Sequence, residues 1–235
     1  MAPARRGPDG VTARRAHDRY LVMPRAEAGM TVGLFGGSFN PPHPGHLLVA
    51  EIALKRLGLD QLWWMVTPGN PLKSRAELLP LAERIALSED LARDPRIKVT
   101  AFEERLNTSY TARTLAHVAA RNSKVRFVWI MGADSLKTFH RWQKWREIAA
   151  TVPIAVVDRP GATLSFLSSP AARALSFARI DEEAARSLPY RTPPAWTFIH
   201  GPRSSFSSTA LRHGQKAAQE TAASSRVPEP HPLKD

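Results

Sequence analysis

The sequence predicts an α/β protein: a doubly wound, mostly parallel sheet with helices on both faces. Six short apolar runs alternate with helix-like segments, and the first run opens directly onto a Gly/Pro-rich turn followed by a helix. No internal repeat offers a solenoid instead. Regular β-α alternation of this kind favours parallel strands joined by helical crossovers.

Residues 31–35 form the first strand, short and apolar enough to be buried on both faces. A helix over 45–57 follows and ends at Gly58. Residues 62–66 make the second strand, closed by Pro68-Gly69-Asn70-Pro71. A helix over 81–92, with Leu81, Ile85 and Leu91 among its apolar positions, leads to a third strand over 97–102. A helix over 110–120, a fourth strand over 125–131 and a short helix running toward Trp142 and Trp145 come next. Ile154–Val157 and Trp196–Ile199 are the last two strands. Residues 160–195 are rich in proline and read as loop apart from a helix over 171–177, and 207–216 reads as a final helix with a Ser-Ser-Thr start.

Three segments are expected. Residues 1–29 form a basic extension without order, 30–213 the folded domain, and 214–235 the end of the last helix and a disordered tail. Met30 is an alternative start. The chain has no cysteine, which excludes disulfides, thiolate metal sites and a cysteine nucleophile and suits a cytoplasmic protein. No apolar run approaches the roughly 18 residues of a membrane span. Residues 1–30 hold six arginines against three acids and residues 213–235 balance, so +9 of the net +12 falls on the folded part. A basic core of this kind attracts nucleic acid or small phosphorylated substrates, and charge alone does not choose.

The turn after the first strand carries the chemistry. Gly36 and Gly37 permit close backbone approach to a phosphate, and the next helix begins near His46, so its N–H groups face the same spot. His43 and His46 can donate to phosphate oxygens. Neither G-x-G-x-x-G nor Walker A is present. Read alone, an H-x-x-H pair fits a proline-rich turn with two solvated histidines as well.

Gly36-Gly37-Ser38-Phe39-Asn40-Pro41-Pro42-His43-Pro44-Gly45-His46 resembles the signature of the nucleotidyltransferase superfamily with the H-x-G-H motif, and more narrowly bacterial nicotinate-nucleotide adenylyltransferases. Ser207-Ser208-Thr209-Ala210-Leu211-Arg212 is similar to the family's late S-S-T-x-[IL]-R motif. The resemblance spans about residues 31–212. It implies a Rossmann-like fold and transfer of the ATP adenylyl group to nicotinate mononucleotide in NAD biosynthesis. His43, His46 and Arg212 are the implied catalytic residues. Gly36, Gly37, Ser38, Phe39, Asp134, Ser207 and Ser208, with those three, are the implied ATP contacts. Lys73, Thr111 and Trp142 are the implied nicotinate mononucleotide contacts. Thr111 opens a helix whose N–H groups would receive the nicotinate carboxylate, and Trp142 would stack on the pyridine ring. Thr108 departs from the family's proline before Ser109-Tyr110-Thr111. On a plainer reading this stretch is a capped amphipathic helix with Tyr110 and Trp145 in the core.

Mg²⁺ is expected with ATP and without a protein carboxylate cage. No specific nucleic acid and no membrane partner is implied. Within the superfamily, phosphopantetheine or nicotinamide mononucleotide is the rival acceptor. A tRNA-synthetase fragment lacks its Lys-rich loop here, and an RNA-binding module lacks its aromatic strand or G-x-x-G loop.

Overall fold

A computed structural model describes residues 18–69, 78–158 and 168–201. Six strands form one sheet: β1 Thr31–Gly37, β2 Gln61–Val66, β3 Ile97–Thr100, β4 Arg126–Gly132, β5 Ile154–Val157 and β6 Trp196–Ile199. Their order is β3-β2-β1-β4-β5-β6, and every pairing is parallel. The chain starts at the centre, winds outward through β2 and β3, then returns to the other side of β1. The fold is therefore the doubly wound sheet that the β-α alternation implies.

Side-chain alternation divides the core into two layers. Val32, Leu34, Trp63, Met65, Phe127 and Trp129 point to one face. There they meet α3 (Thr111–Arg121), α4 (Ala133–Thr138), α5 (Trp145–Thr151) and α6 (Pro170–Ala174) through residues such as Leu115, Leu136, Ile148 and Ala171. Phe35, Leu62, Trp64, Val128 and Ile130 point to the other face. They are covered by α1 (Pro44–Leu57) and α2 (Leu81–Leu91), with Leu54 and Ile85 among the contacts. Gly58 ends α1 in the left-handed region at φ 64°, where its N–H caps the Leu54 carbonyl.

Local differences have local causes. The third strand stops at Thr100, and Phe102–Glu104 turns away as a 3-10 segment. The helix expected over 171–177 is split into α6 and a 3-10 turn at Ser176–Ala178. A 3-10 helix over Glu182–Tyr190 occupies a stretch read as loop; Ala185 and Leu188 give it a buried stripe despite Pro189.

Residues 18–29, expected to lack order, lie along the outer edge of β3. The Tyr20 carbonyl accepts from Ala101 N at 2.7 Å and from Thr100 Oγ1 at 3.0 Å. Tyr20, Leu21, Met23 and Ala26 pack against the two core layers, and this apolar content among the arginines holds the segment. Farther on, Gly29 N donates to the Lys124 carbonyl at 2.8 Å. Residues 1–17 and the tail beyond 201 lie outside the described residues.

Thr100→Val keeps the shape of this buried residue and removes its donor to the N-terminal segment. The expected outcome is a loss of about 1 kcal/mol in chemical denaturation with faster tryptic cleavage after Arg19 and Arg25. Unchanged cleavage rates would show that the segment is held by packing alone.

Candidate active site

The strands' carboxyl ends open into a cavity of about 350 Å³, within the range of small-ligand sites. Its walls come from separate strand exits. Gly36 and Gly37 end β1 and Ser38 follows it, Thr67 and Gly69 follow β2, Glu103 follows β3, and Trp129 lies on β4. Ser109, Tyr110 and Thr111 at the start of α3 and Arg141, Trp142 and Gln143 before α5 complete it. Gly36, Gly37 and Ser38, assigned from sequence to ATP, thus share one cavity with Thr111 and Trp142, assigned to the mononucleotide.

The glycines of the first turn are there for space. A Cβ on Gly36 would stand 2.6 Å from the far edge of the Trp129 indole, and one on Gly37 would stand 3.0 Å from the Phe39 ring. Phe39 holds a left-handed backbone at φ 44°. Its buried ring lies against Phe35, Trp64 and His46 with centroids 4.6 to 5.3 Å apart. That packing fixes the loop from beneath and stabilises an otherwise unfavourable backbone. Any service Phe39 gives to ATP therefore comes through its main chain.

The two histidines form the start of α1. His43 is its N-cap, its Nδ1 accepting from Gly45 N at 3.1 Å, while His46 Nδ1 accepts from His43 N at 3.2 Å. With Nδ1 an acceptor in both rings, each neutral imidazole carries its proton on Nε2. The rings stack 3.7 Å apart and are nearly buried. Capping therefore orients them, and each presents an N–H at its far side. Neither lines the cavity; both stand at the helix terminus that leaves the β1 turn.

At α3 the sequence departure has a visible function. The Thr108 hydroxyl accepts from Tyr110 N at 3.2 Å, ordering the entry that the family's proline would otherwise stiffen. No side chain caps α3 itself, so its first turn faces the cavity through Ser109, Tyr110 and Thr111. Tyr110, a core residue on the plainer reading, is instead 39% exposed at the rim. Trp142 is half-buried and set edge-on to Trp129 and Phe139, at 81° and 77°. Trp145 is also half-buried, packed on Phe139 with the Arg146 guanidinium 4.4 Å above its ring. Asp134 is exposed in the first turn of α4 and does not line the cavity. Lys73, Ser207, Ser208 and Arg212 lie outside the described residues.

Sequence reasoning missed Glu103. Its carboxyl is buried in the cavity wall, and burial pushes its pKa up against the opposing effect of hydrogen bonds from Thr114 and Thr67. Thr114 Oγ1 donates to it at 2.6 Å. The Thr67 hydroxyl, the second hydrogen-bond partner of Glu103, also donates to the Gly69 carbonyl at 3.1 Å, so the carboxyl is linked to the turn after β2. In the sequence, only its place just after the strand expected over 97–102 hinted at this. Among the described residues, no group of three or more His, Asp or Glu side chains is arranged to hold a metal ion. Nor is any helix there long and apolar enough to cross a membrane.

Residues 34–214 match the Cytidylyltransferase-like family. The chain is 74% identical over 192 residues to a probable nicotinate-nucleotide adenylyltransferase of Rhizobium johnstonii, covering 82% of this chain and 96% of that protein. The chain belongs to the nicotinate-nucleotide adenylyltransferase family. A probable member from Brucella abortus is 67% identical over 186 residues, 79% of this chain and 96% of its own length. Among solved structures, Plasmodium falciparum nicotinic acid mononucleotide adenylyltransferase complexed with NaAD superposes with a TM-score of 0.59 at 16% identity. It covers 78% of this chain and 83% of that one. At such identity the likeness is one of fold, and it agrees with the family's Rossmann-like sheet.

Two outcomes are expected here. Gly36→Ala drives a methyl into a rigid indole, so it should cost about 1–3 kcal/mol and raise KM for the ligand of this cavity; unchanged values would mean the Trp129 ring yields freely. Glu103 has its folded pKa raised, so its stabilising contribution is complete below the unfolded carboxylate value and is lost as pH rises through the folded one. Glu103→Gln lacks that loss, and its stability relative to wild type should improve as pH rises above the ordinary glutamate value of about 4.3. Denaturation curves across that range that stay parallel would show the carboxyl is already ionised.

Proposed function

We infer that this chain transfers the adenylyl group of ATP to nicotinate mononucleotide, forming deamido-NAD and releasing pyrophosphate. The observation that carries it is the single cavity bounded on one side by the Gly36-Gly37-Ser38 turn and on the other by the open N-terminus of α3. A triphosphate at the first and an acidic pyridine at the second bring the reacting phosphates between them. Relatives covering most of this chain carry the nicotinate-nucleotide adenylyltransferase name, which supports the same reading.

A 5′-phosphate oxygen of the mononucleotide attacks the α-phosphorus, the bond to the bridging oxygen breaks, and pyrophosphate leaves with that oxygen. The nucleophile is already anionic, so the protein's contribution is alignment and stabilisation of charge rather than a strong base. The Nε2–H groups of His43 and His46, beside the positive end of α1, are suited to donate to α- and β-phosphate oxygens. Ser207, Ser208 and Arg212 are assigned to the outer phosphates on the motif alone, and Lys73 and Asp134 to the mononucleotide phosphate and the ATP ribose on the same ground. At α3, the first-turn amides favour a carboxylate over a neutral amide by about 0.3–2 kcal/mol. Trp142, held edge-on by Trp129 and Phe139, offers its face to the pyridine ring.

Mg²⁺ enters this scheme as part of the MgATP substrate, held by phosphates and water. The site of action is the cytoplasm, and nucleic acid and membranes are not partners.

Pyrophosphate release should be measured with ATP and, in turn, nicotinate mononucleotide, nicotinamide mononucleotide and phosphopantetheine. The acidic mononucleotide should be preferred, and His46→Ala should lower kcat per folded molecule about 100-fold or more. A preference for phosphopantetheine, or equal rates with the two mononucleotides, would overturn the acceptor assignment. Near-normal turnover in His46→Ala would remove the histidine from catalysis.

A further inference from the structure

Arg84 is a fully buried arginine on α2, on the helix face that also carries Ile85 and Ser88. Among the described residues no carboxylate forms an ion pair with it. Its guanidinium is instead spent on main-chain oxygens. Nη1 donates to the Ser38 carbonyl at 2.7 Å and the Thr67 carbonyl at 2.8 Å, and Nε donates to the Leu79 carbonyl at 2.9 Å. Nη2 reaches the Pro68 carbonyl at 3.4 Å.

These acceptors belong to three separate stretches of chain. Ser38 is in the turn after β1, Thr67 and Pro68 follow β2, and Leu79 precedes α2. Two further bonds close the arrangement: Thr67 N donates to the Gly37 carbonyl at 3.0 Å, and Leu79 N donates to Asn40 Oδ1 at 2.9 Å. Ser38 and Thr67 themselves line the cavity. The guanidinium therefore sits behind the wall that both substrates are inferred to share.

We propose that Arg84 is a positioning residue for adenylyl transfer, its planar fork fixing the β1 turn against the β2 turn so that the phosphate-binding wall keeps one spacing. The proposal rests on the adenylyltransferase reading above. Its chemistry follows from the donor set. Only a guanidinium supplies donors in one rigid plane that can reach carbonyls in three directions, whereas an ammonium is a point charge with rotatable donors. Burying a cation this deeply is unfavourable in itself. Burial accordingly pulls the Arg84 pKa down, with the charge of Glu104 acting in the opposite sense. Ordinary core packing at this helix position would be met by an aliphatic side chain, as at the adjacent Ile85. What the arginine adds is the register of two loops, and an error of about 1 Å in such a register can cost on the order of 100-fold in rate.

The test uses Arg84→Lys and Arg84→Gln in the full chain, with folding followed by circular dichroism and thermal melting. Steady-state kinetics are then run with MgATP and nicotinate mononucleotide and normalised to folded protein. The expected result is a folded Arg84→Lys whose kcat falls at least about tenfold while KM for one or both substrates rises, with Arg84→Gln more severely affected. A lowered Tm with kcat and both KM values within about twofold of wild type would make Arg84 a purely structural residue and overturn the proposal. Failure of both variants to fold would overturn it too, since the arginine would then hold the fold rather than the site. Wild-type protein that releases no pyrophosphate with any acceptor is a different result, and it removes the functional reading itself.

Discussion

Everything at the site depends on the reversal of strand order at β1. Because β2 lies on one side of β1 and β4 on the other, the segments leaving these strands diverge to opposite faces and leave a crevice at their carboxyl ends. The crevice is the place where two rigid layers fail to meet, and its walls inherit the rigidity of the parallel sheet beneath them. The β1 turn, the β2 turn and the N-terminus of α3 are therefore held at spacings set by the sheet.

Polar side chains stand in and behind the walls of this crevice, between two apolar layers, and they are satisfied in an unusual way. Arg84 is bonded to carbonyls, His43 and His46 to main-chain amides, and Glu103 to threonine hydroxyls. Neutralising each by a counter-charge would have placed strong local dipoles at the site. Backbone and hydroxyl partners instead fix geometry while leaving the local field to the helix termini and to the substrates. The Phe39 ring is the apolar counterpart of these side chains, tying the same turn into the core from the opposite side.

Much of this was legible in the sequence because parallel strands, buried on both faces, read as unbroken apolar runs. Residues 62–66 are such a run, and so are 125–131 apart from Arg126 at the strand's exposed start; β2 and β4 lie there. The turn from Gly36 to His46 was legible because its glycines, prolines and histidines are local in sequence. Elements whose cause is long-range were not. The seven-residue α5 is too short to show a period, and the Glu182–Tyr190 helix is disguised by its proline. Tyr110 reads as core until the uncapped start of α3 turns it to the rim. Arg84 could have been noticed as a charge on the face of Leu81, Ile85 and Ser88. Nothing local, however, says that its partners lie 46 and 17 positions away. Residues 18–29 illustrate the opposite error, in which membership of an arginine-rich N-terminal stretch conceals a few apolar side chains that suffice for docking.

That docked segment also bears on how the edge of the sheet is presented to solvent. The Tyr20 and Val22 carbonyls engage Thr100 and Ala101 at the end of the sheet's outermost strand. The chain continues from there into the turn that carries Glu103 into the cavity wall. A polypeptide begun at Met30 would keep all six strands and lose these contacts at the end of the sheet's edge strand, leaving that edge less protected against pairing with another chain.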